Sequence, residues 1–274
     1  MEKLPVKIKN DIVSLEYPIF SLSKNKSLLI REYVHSTSNK RIKIIPSAFG
    51  AATIFDKELI LFCGYKILSL ERNGYPFSDK ITIDTYEFLN FTGRSTGNNS
   101  YIQFHDTLRR LKGTILETNI ENGGIQYIHG FSLIDEYKIL KSGKNSILRV
   151  EVILSQWIYN AYLTKEILTL SPEYFQISKP LERRIYELAR KHCGKKAIWK
   201  CQLSIIKDKC ASTQSDRHFR AEIRKIIKNN NLPDYKIALD THRNHVVFIT
   251  RNTKLLSHEL IKSKILDWYG NLEK

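Results

Sequence analysis

The stretch Ser212-Thr213-Gln214-Ser215-Asp216-Arg217-His218-Phe219-Arg220-Ala221-Glu222-Ile223-Arg224-Lys225-Ile226-Ile227-Lys228-Asn229 decides how this chain of 274 residues is read. Its apolar residues Phe219, Ile223, Ile226 and Ile227 fall at i, i+4, i+7 and i+8, the spacing of one buried stripe on a helix. Arg217, Arg220, Arg224 and Lys228 fall at i, i+3, i+7 and i+11. At about 100° per residue these four cations span roughly 80° of arc, almost opposite the stripe. One face is built to pack and the other to present positive charge. Ser212, Thr213 and Ser215 stand ahead as candidate N-caps, so a helix is predicted over 214–229. Its free backbone N–H groups, with Thr213 and Gln214, would point at whatever the cations approach.

The wider charge pattern agrees. The chain carries 44 Lys plus Arg against 28 Asp plus Glu, a formal net charge of +16. Residues 178–228 hold 15 basic and 5 acidic side chains, and so account for +10 of it. A solvated charged face would explain a simple run of lysines. Here the charge is concentrated and part of it is periodic, which points to nucleic acid, with an anionic membrane surface as the second class. No helix candidate pairs a basic face with an exposed aromatic wedge, so a membrane partner is not expected.

A weaker copy of the unit lies upstream. Phe104, Leu108 and Leu111 repeat the spacing of Phe219, Ile223 and Ile226, and Ser95-Thr96-Gly97 stands against Ser212-Thr213-Gln214. Each copy is predicted as a helix, a short helix, a turn, a long helix and a hairpin. In the first these are 54–72, 84–91 with Asp84 or Thr82 as cap, 93–97, 101–112, and strands 115–120 and 125–131 around Glu121-Asn122-Gly123-Gly124. In the second they are 181–192 stopped by Gly194, 202–209, 214–229, and strands 235–239 and 245–250 around Asp240-Thr241-His242-Arg243-Asn244. Helix, helix, recognition helix and β-wing describe a winged helix-turn-helix, which sets its third helix in a major groove and its wing along a phosphate backbone. The expected fold is therefore α+β, two tandem winged helix-turn-helix domains related as a pseudo-two-fold internal repeat.

Strand pairs 28–34 with 40–45, and 137–140 with 147–154, and a helix over 156–170 complete an N-terminal domain, 1–170. Ser171-Pro172 opens a C-terminal domain, 171–274, ending in an amphipathic helix over 255–272.

Three stretches resemble the plasmid replication initiator protein A family: Ser14-Leu-Glu-Tyr-Pro-Ile-Phe-Ser21, Leu170-Ser-Pro-Glu-Tyr-Phe175, and Lys179-Pro-Leu-Glu-Arg-Arg-Ile-Tyr-Glu-Leu-Ala-Arg-Lys-His-Cys-Gly194. The likeness runs over about residues 14–228 and thins beyond Asn229. It implies a two-domain winged-helix protein that binds repeated sequences, or iterons, at a plasmid origin, opens the duplex nearby and recruits host initiator and helicase machinery. It also implies copy control through a monomer–dimer balance, with the N-terminal domain mediating dimers.

Catalytic motifs fail on inspection. His242-Arg243-Asn244-His245 does not match the His-hydrophobic-His ligands of a rolling-circle nuclease, so none of the tyrosines is nominated as a nucleophile. Gly143-Lys144-Asn145 lacks the leading Gly and the following Ser or Thr of a nucleotide-binding loop, and His258-Glu259 meets Lys262 where a metalloprotease needs its second His. Cys63, Cys193, Cys201 and Cys210 contain no CxxC pair and are expected to be reduced, mostly buried thiols. No catalytic residue, metal or cofactor is expected. Residues 1–10 have neither an apolar core nor a cleavage site, which predicts a cytoplasmic protein.

The expected function is a non-catalytic initiator that binds double-stranded DNA. Thr213, Gln214, Arg217 and Arg220, nearest the helix start, are the candidates for base edges; Arg224 faces the groove, while Lys228 and wing-tip Arg243 hold phosphates. In the first copy Thr96, Asn98 and Asn99 lead into a polar face bearing Gln103 and Arg110. That copy is less basic, and serves weaker DNA contact or dimerisation. If both helices enter one face of a duplex, the site spans about 20 base pairs. A winged-helix repressor or autoregulator, and a metal-dependent nicking enzyme, are the alternatives.

Overall fold

The computed structural model describes residues 7–273 except 24, 36–37, 123, 125–129, 143–145, 264–265 and 271. The leader reading of residues 1–6, the strand over 125–129 and the loop 143–145 therefore lie outside the described residues. The chain divides into two units, 1–176 and 177–274.

The first unit opens with β1 (Ile8–Asp11) and α1 (Ile12–Glu16), where the Asp11 carboxylate accepts the Ser14 N–H at 2.7 Å as an N-cap. There follow β2 (Arg31–Val34), β3 (Arg41–Ile45), α2 (Lys57–Arg72), β4 (Lys80–Asp84), α3 (Thr85–Phe91) and α4 (Asn98–Gly113). Next come β5 (Ile115–Thr118), β6 (Phe131–Ser132), β7 (Ile134–Ser142), β8 (Ser146–Leu154), α5 (Gln156–Leu163), β9 (Ile167–Leu170) and a 3₁₀ turn, Pro172–Gln176. Its core packs Phe62, Phe88, Phe104, Leu108, Leu111 and Trp157 against the inner faces of the sheets.

The second unit is α6 (Pro180–His192), β10 (Ile198–Gln202), α7 (Leu203–Lys209), α8 (Asp216–Asn229), β11 (Tyr235–Asp240), β12 (His245–Thr250), α9 (Thr253–Ser263) and α10 (Leu266–Gly270). Pro180 starts α6, where its missing N–H costs nothing, and Gly194 at φ +55° ends the turn beyond it. On α8 the predicted stripe is the packed one, with Phe219, Ile223, Ile226 and Ile227 all buried. Each such side chain contributes about 1.5–3 kcal/mol by leaving water.

Several expectations change. Each copy of the repeat contains a strand, β4 between α2 and α3 or β10 between α6 and α7, where the sequence reading had none. β4 is the inner-to-outer alternation Lys-Ile-Thr-Ile-Asp, with Ile81 and Ile83 buried. These strands join sheets of identical order, β4-β8-β7 and β10-β12-β11, all antiparallel. The hairpin that matches β11–β12 is thus β7–β8. The expected first wing at 115–131 instead supplies β5 and β6 to another sheet, β2-β3-β5-β6. β5 and β6 pair antiparallel, Leu116 opposite Phe131, and turn chemistry could not say which sheet they join. The helix expected over 156–170 breaks at Lys165, which adopts φ 61°. The chain then runs out as β9 and pairs with β1, Ile8 opposite Leu170. Of the terminal helix expected over 255–272, the described residues form α9 and α10.

Gly64, within α2, marks a close approach. A Cβ placed there would lie 2.2 Å from the ring of Tyr162, which is fully buried and donates its hydroxyl hydrogen to the Lys9 carbonyl at 3.2 Å. Alanine improves helix propensity by about 1 kcal/mol, but overpacking a rigid aromatic costs about 1–3 kcal/mol or more. Gly64→Ala is therefore expected to lower the unfolding free energy, read as a reduced urea midpoint; an unchanged or raised midpoint would show that Tyr162 can move aside.

Candidate nucleic-acid interface

The interface candidate in the second unit begins with the turn after α7. Ser215 is the N-cap of α8, its hydroxyl accepting the His218 N–H, and Asn230 closes the helix in the left-handed region. The helix begins at Asp216, so Thr213 and Gln214 stand exposed in the turn ahead of it. Asp216 brings a negative charge to this end, and Lys207 on α7 neutralises it at 2.7 Å. The Lys207 hydrogen bond holds the carboxyl below its ordinary range.

The four-cation row exists, but its members differ in availability. Arg217 and Lys228 are exposed and make no ion pair among the described residues. Arg220 is half-buried, and its Nη2 donates to Asn244 Oδ1 at 2.7 Å. Asn244 occupies the turn between β11 and β12 at φ 54°, and its carbonyl accepts the Leu203 N–H at 3.0 Å. Through that one residue the β11–β12 turn is tied both to α7 and to α8. Arg243 projects, exposed, from the same turn, its own N–H bound to Asp240 at 3.1 Å. Arg224 is paired with Glu273, Nε to Oε1 at 2.9 Å and Nη2 to Oε2 at 3.3 Å.

The charge census shrinks once burial is known. Arg183, Arg184 and Lys209, counted in the basic stretch, are only 2, 2 and 6% exposed. Arg184 donates to the Lys209 carbonyl at 3.0 and 2.9 Å and pairs with buried Glu187 at 3.2 Å; Arg183 donates to the Ile177 carbonyl. The two arginines brace the start of α6 against α7 and the chain entering the unit. A charge in a low-dielectric interior must be paired and hydrogen-bonded, so they cannot also serve an external anion.

In the first unit, α4 starts at Asn98, earlier than the spacing predicted. Asn98 and Asn99 therefore lie in its first turn, exposed with Gln103, and Thr96 is exposed just before it. Arg110 does not share their role. Its Nε and Nη2 each donate to the Asp56 carboxylate at 2.7 Å, and Thr107 donates to the same group. A buried carboxylate required a cation, and Arg110 supplies it. Arg94 does likewise for Glu58 at 2.7 Å. Asn99, Gln103 and Arg94 line an open cleft of about 710 Å³. Among the described residues no group of three His, Cys, Asp or Glu is placed to hold a metal, and no helix is long and apolar enough to cross a membrane. Burial pushes the Cys63 and Cys210 thiols up to about 12 and Cys193 to about 11, which disfavours the reactive thiolate.

The chain matches the replication initiator protein A family over residues 9–237, a span that holds α6, β10, α7 and α8 and ends within β11. It belongs to that family. A protein of Wigglesworthia glossinidia brevipalpis whose name assigns it to replication is 39% identical over 247 residues, covering 89% of each chain. Two crystal structures of RctB domains 2 and 3 share the fold, with TM-scores of 0.59 and 0.61 at 13% and 12% identity. They cover 87% and 86% of this chain and 97% and 95% of theirs. A replication initiator of mixed α+β fold is thus the frame in which the cation row is to be read. Sequence reasoning missed Asn244 and Glu273 in that row, because each meets its arginine across at least 24 positions of sequence and no periodicity joins them.

Proposed function

We propose that this chain is a cytoplasmic plasmid replication initiator that binds repeated duplex sequences at an origin, promotes opening of the adjacent duplex and recruits host initiator and helicase proteins, without catalysis of its own. Each unit acts as a winged helix, with α4 or α8 as recognition helix and β7–β8 or β11–β12 as wing, and the protein exchanges between monomer and homodimer. The observation that carries the reading is the exposed cationic face of α8 with a turn locked beside it through Asn244. Such a helix fits a major groove, and the locked turn keeps Arg243 on the flanking backbone without a further ordering cost.

Roles divide along α8. Thr213, Gln214, Arg217 and Arg220 sit where a helix inserted N-terminus first meets base edges, and Lys228 and Arg243 sit where phosphates pass. In the first unit Thr96, Asn98, Asn99 and Gln103 make the corresponding, weaker contact; Arg110 is left to Asp56. Selection of bound duplexes from a random pool, followed by a footprint, tests the whole. A recovered motif of about 20 base pairs in two halves supports both units reading one site, and recovery of no motif refutes sequence-specific binding.

Single substitutions test the division of roles. Arg217→Ala removes a side chain with no intramolecular partner among the described residues, and should relax discrimination at one base step by about 1–3 kcal/mol. Lys228→Ala should weaken specific and random duplexes alike. Equal losses on both DNAs from both variants would end the assignment.

A further inference from the structure

Glu273 holds one of the four cations of the α8 row. Its backbone forms an antiparallel bridge with Leu239, N–H to carbonyl at 2.8 and 3.0 Å in the two directions, on the outer edge of β11. That strand is the edge of its sheet, and α8 packs against it. The segment leading there is itself anchored. Trp268 donates its indole N–H to Asp240 at 3.1 Å, Lys200 lies over the Trp268 ring at 3.3 Å, and Leu272 is buried with Ala238, Val247 and Ile249 of the sheet. The carboxylate is therefore held in place by the fold, and it grips Arg224 through two hydrogen bonds on the exposed face of α8.

We infer that Glu273 is an affinity-setting residue of the proposed DNA surface: an internal stand-in for phosphate that any duplex must displace before it can take Arg224. The inference rests on the proposed reading of α8 as a recognition helix. A phosphate and a carboxylate offer a guanidinium similar two-point recognition, so replacing one by the other is close to an even exchange. In the free protein Arg224 is already satisfied by Glu273, so a duplex that takes the guanidinium gives up that pair in return. When α8 enters the groove, the duplex backbone or a base edge displaces the carboxylate and Arg224 adds a contact. The device lowers the electrostatic, sequence-independent part of the affinity that every duplex shares, and so leaves more of the binding to base contacts.

The test compares wild type, Glu273→Gln, Arg224→Gln and the double variant on a random duplex and on the duplex recovered by selection, each across a salt series. Glutamine keeps the size of the side chain and leaves the backbone bridge intact, and a thermal melt of each variant reports whether the unit remains folded. Glu273→Gln is expected to tighten binding to random duplex about two- to fivefold and to steepen its salt slope by about 0.9, one phosphate contact. The selected duplex should gain by a similar factor, because wild type must break the same pair to bind it, and both gains should vanish in the double variant. No change on either duplex, a gain on one duplex alone, or a gain that persists without Arg224 overturns the inference while leaving the proposed function standing. A wild-type protein with no salt-dependent binding to any duplex removes the proposed function, and this inference with it.

Discussion

Raising the salt from 50 to 200 mM is expected to weaken binding to an origin duplex by about 10³–10⁵, the loss that comes with neutralising about six to ten phosphates. The effect is large because each cation set on the duplex releases a condensed counterion, and on the proposed reading the exposed side chains of α8 and the β11–β12 turn supply several such contacts. Arg217, Lys228 and Arg243 are free to make them; Arg183, Arg184 and Lys209 are not, being buried. The slope of log K against log salt, measured by fluorescence anisotropy, therefore reports how many charges face outward and ignores those that brace the fold. A slope near zero would sink the nucleic-acid reading altogether. A slope far beyond that of ten phosphates would mean that the interface extends past α8 and the turn beside it.

Asp56→Ala is expected to destabilise the first unit by about 3–4 kcal/mol. The Asp56 carboxylate is 2% exposed and accepts from the Thr53 N–H and hydroxyl, the Thr107 hydroxyl, and two N–H groups of Arg110. Its removal strands a guanidinium that is itself only 23% exposed, and deprives two threonines of a partner. Against a typical stability of about 5–15 kcal/mol, such a loss should shift the urea midpoint visibly. A change below about 1 kcal/mol would show that solvent reaches Arg110 easily. Arg110→Gln separates bracing from DNA contact at that residue. It should lower stability while leaving the salt slope of DNA binding unchanged, whereas a shallower slope would return Arg110 to the interface.

The sequence by itself determined what is local. The period of Phe219, Ile223, Ile226 and Ile227 gave a helix and its buried face, three candidate caps that include Ser215 and the Gly194 stop bracketed the ends of α8 and α6, and the clustered cations gave a direction toward an anionic partner. These follow from side-chain spacing on a regular backbone, which needs no knowledge of distant residues. The motifs around residues 14–21 and 179–194 pointed to the family that the chain proved to match.

Tertiary structure decided two further matters: which strands share a sheet and which charges remain available. β1 is Ile-Lys-Asn-Asp, with no apolar alternation to announce it, because Asn10 and Asp11 are buried for their hydrogen bonds. Its partner β9 lies at the far end of the unit's sequence. The hairpin after α4 joined one sheet and the next hairpin another, a choice that turn residues cannot express. Charge followed the same rule. A lysine or arginine reads identically whether it faces solvent, braces a helix or meets a carboxylate 49 residues away, as Arg224 meets Glu273. Desolvation and long-range pairing fix its role, and both exist only in the folded chain.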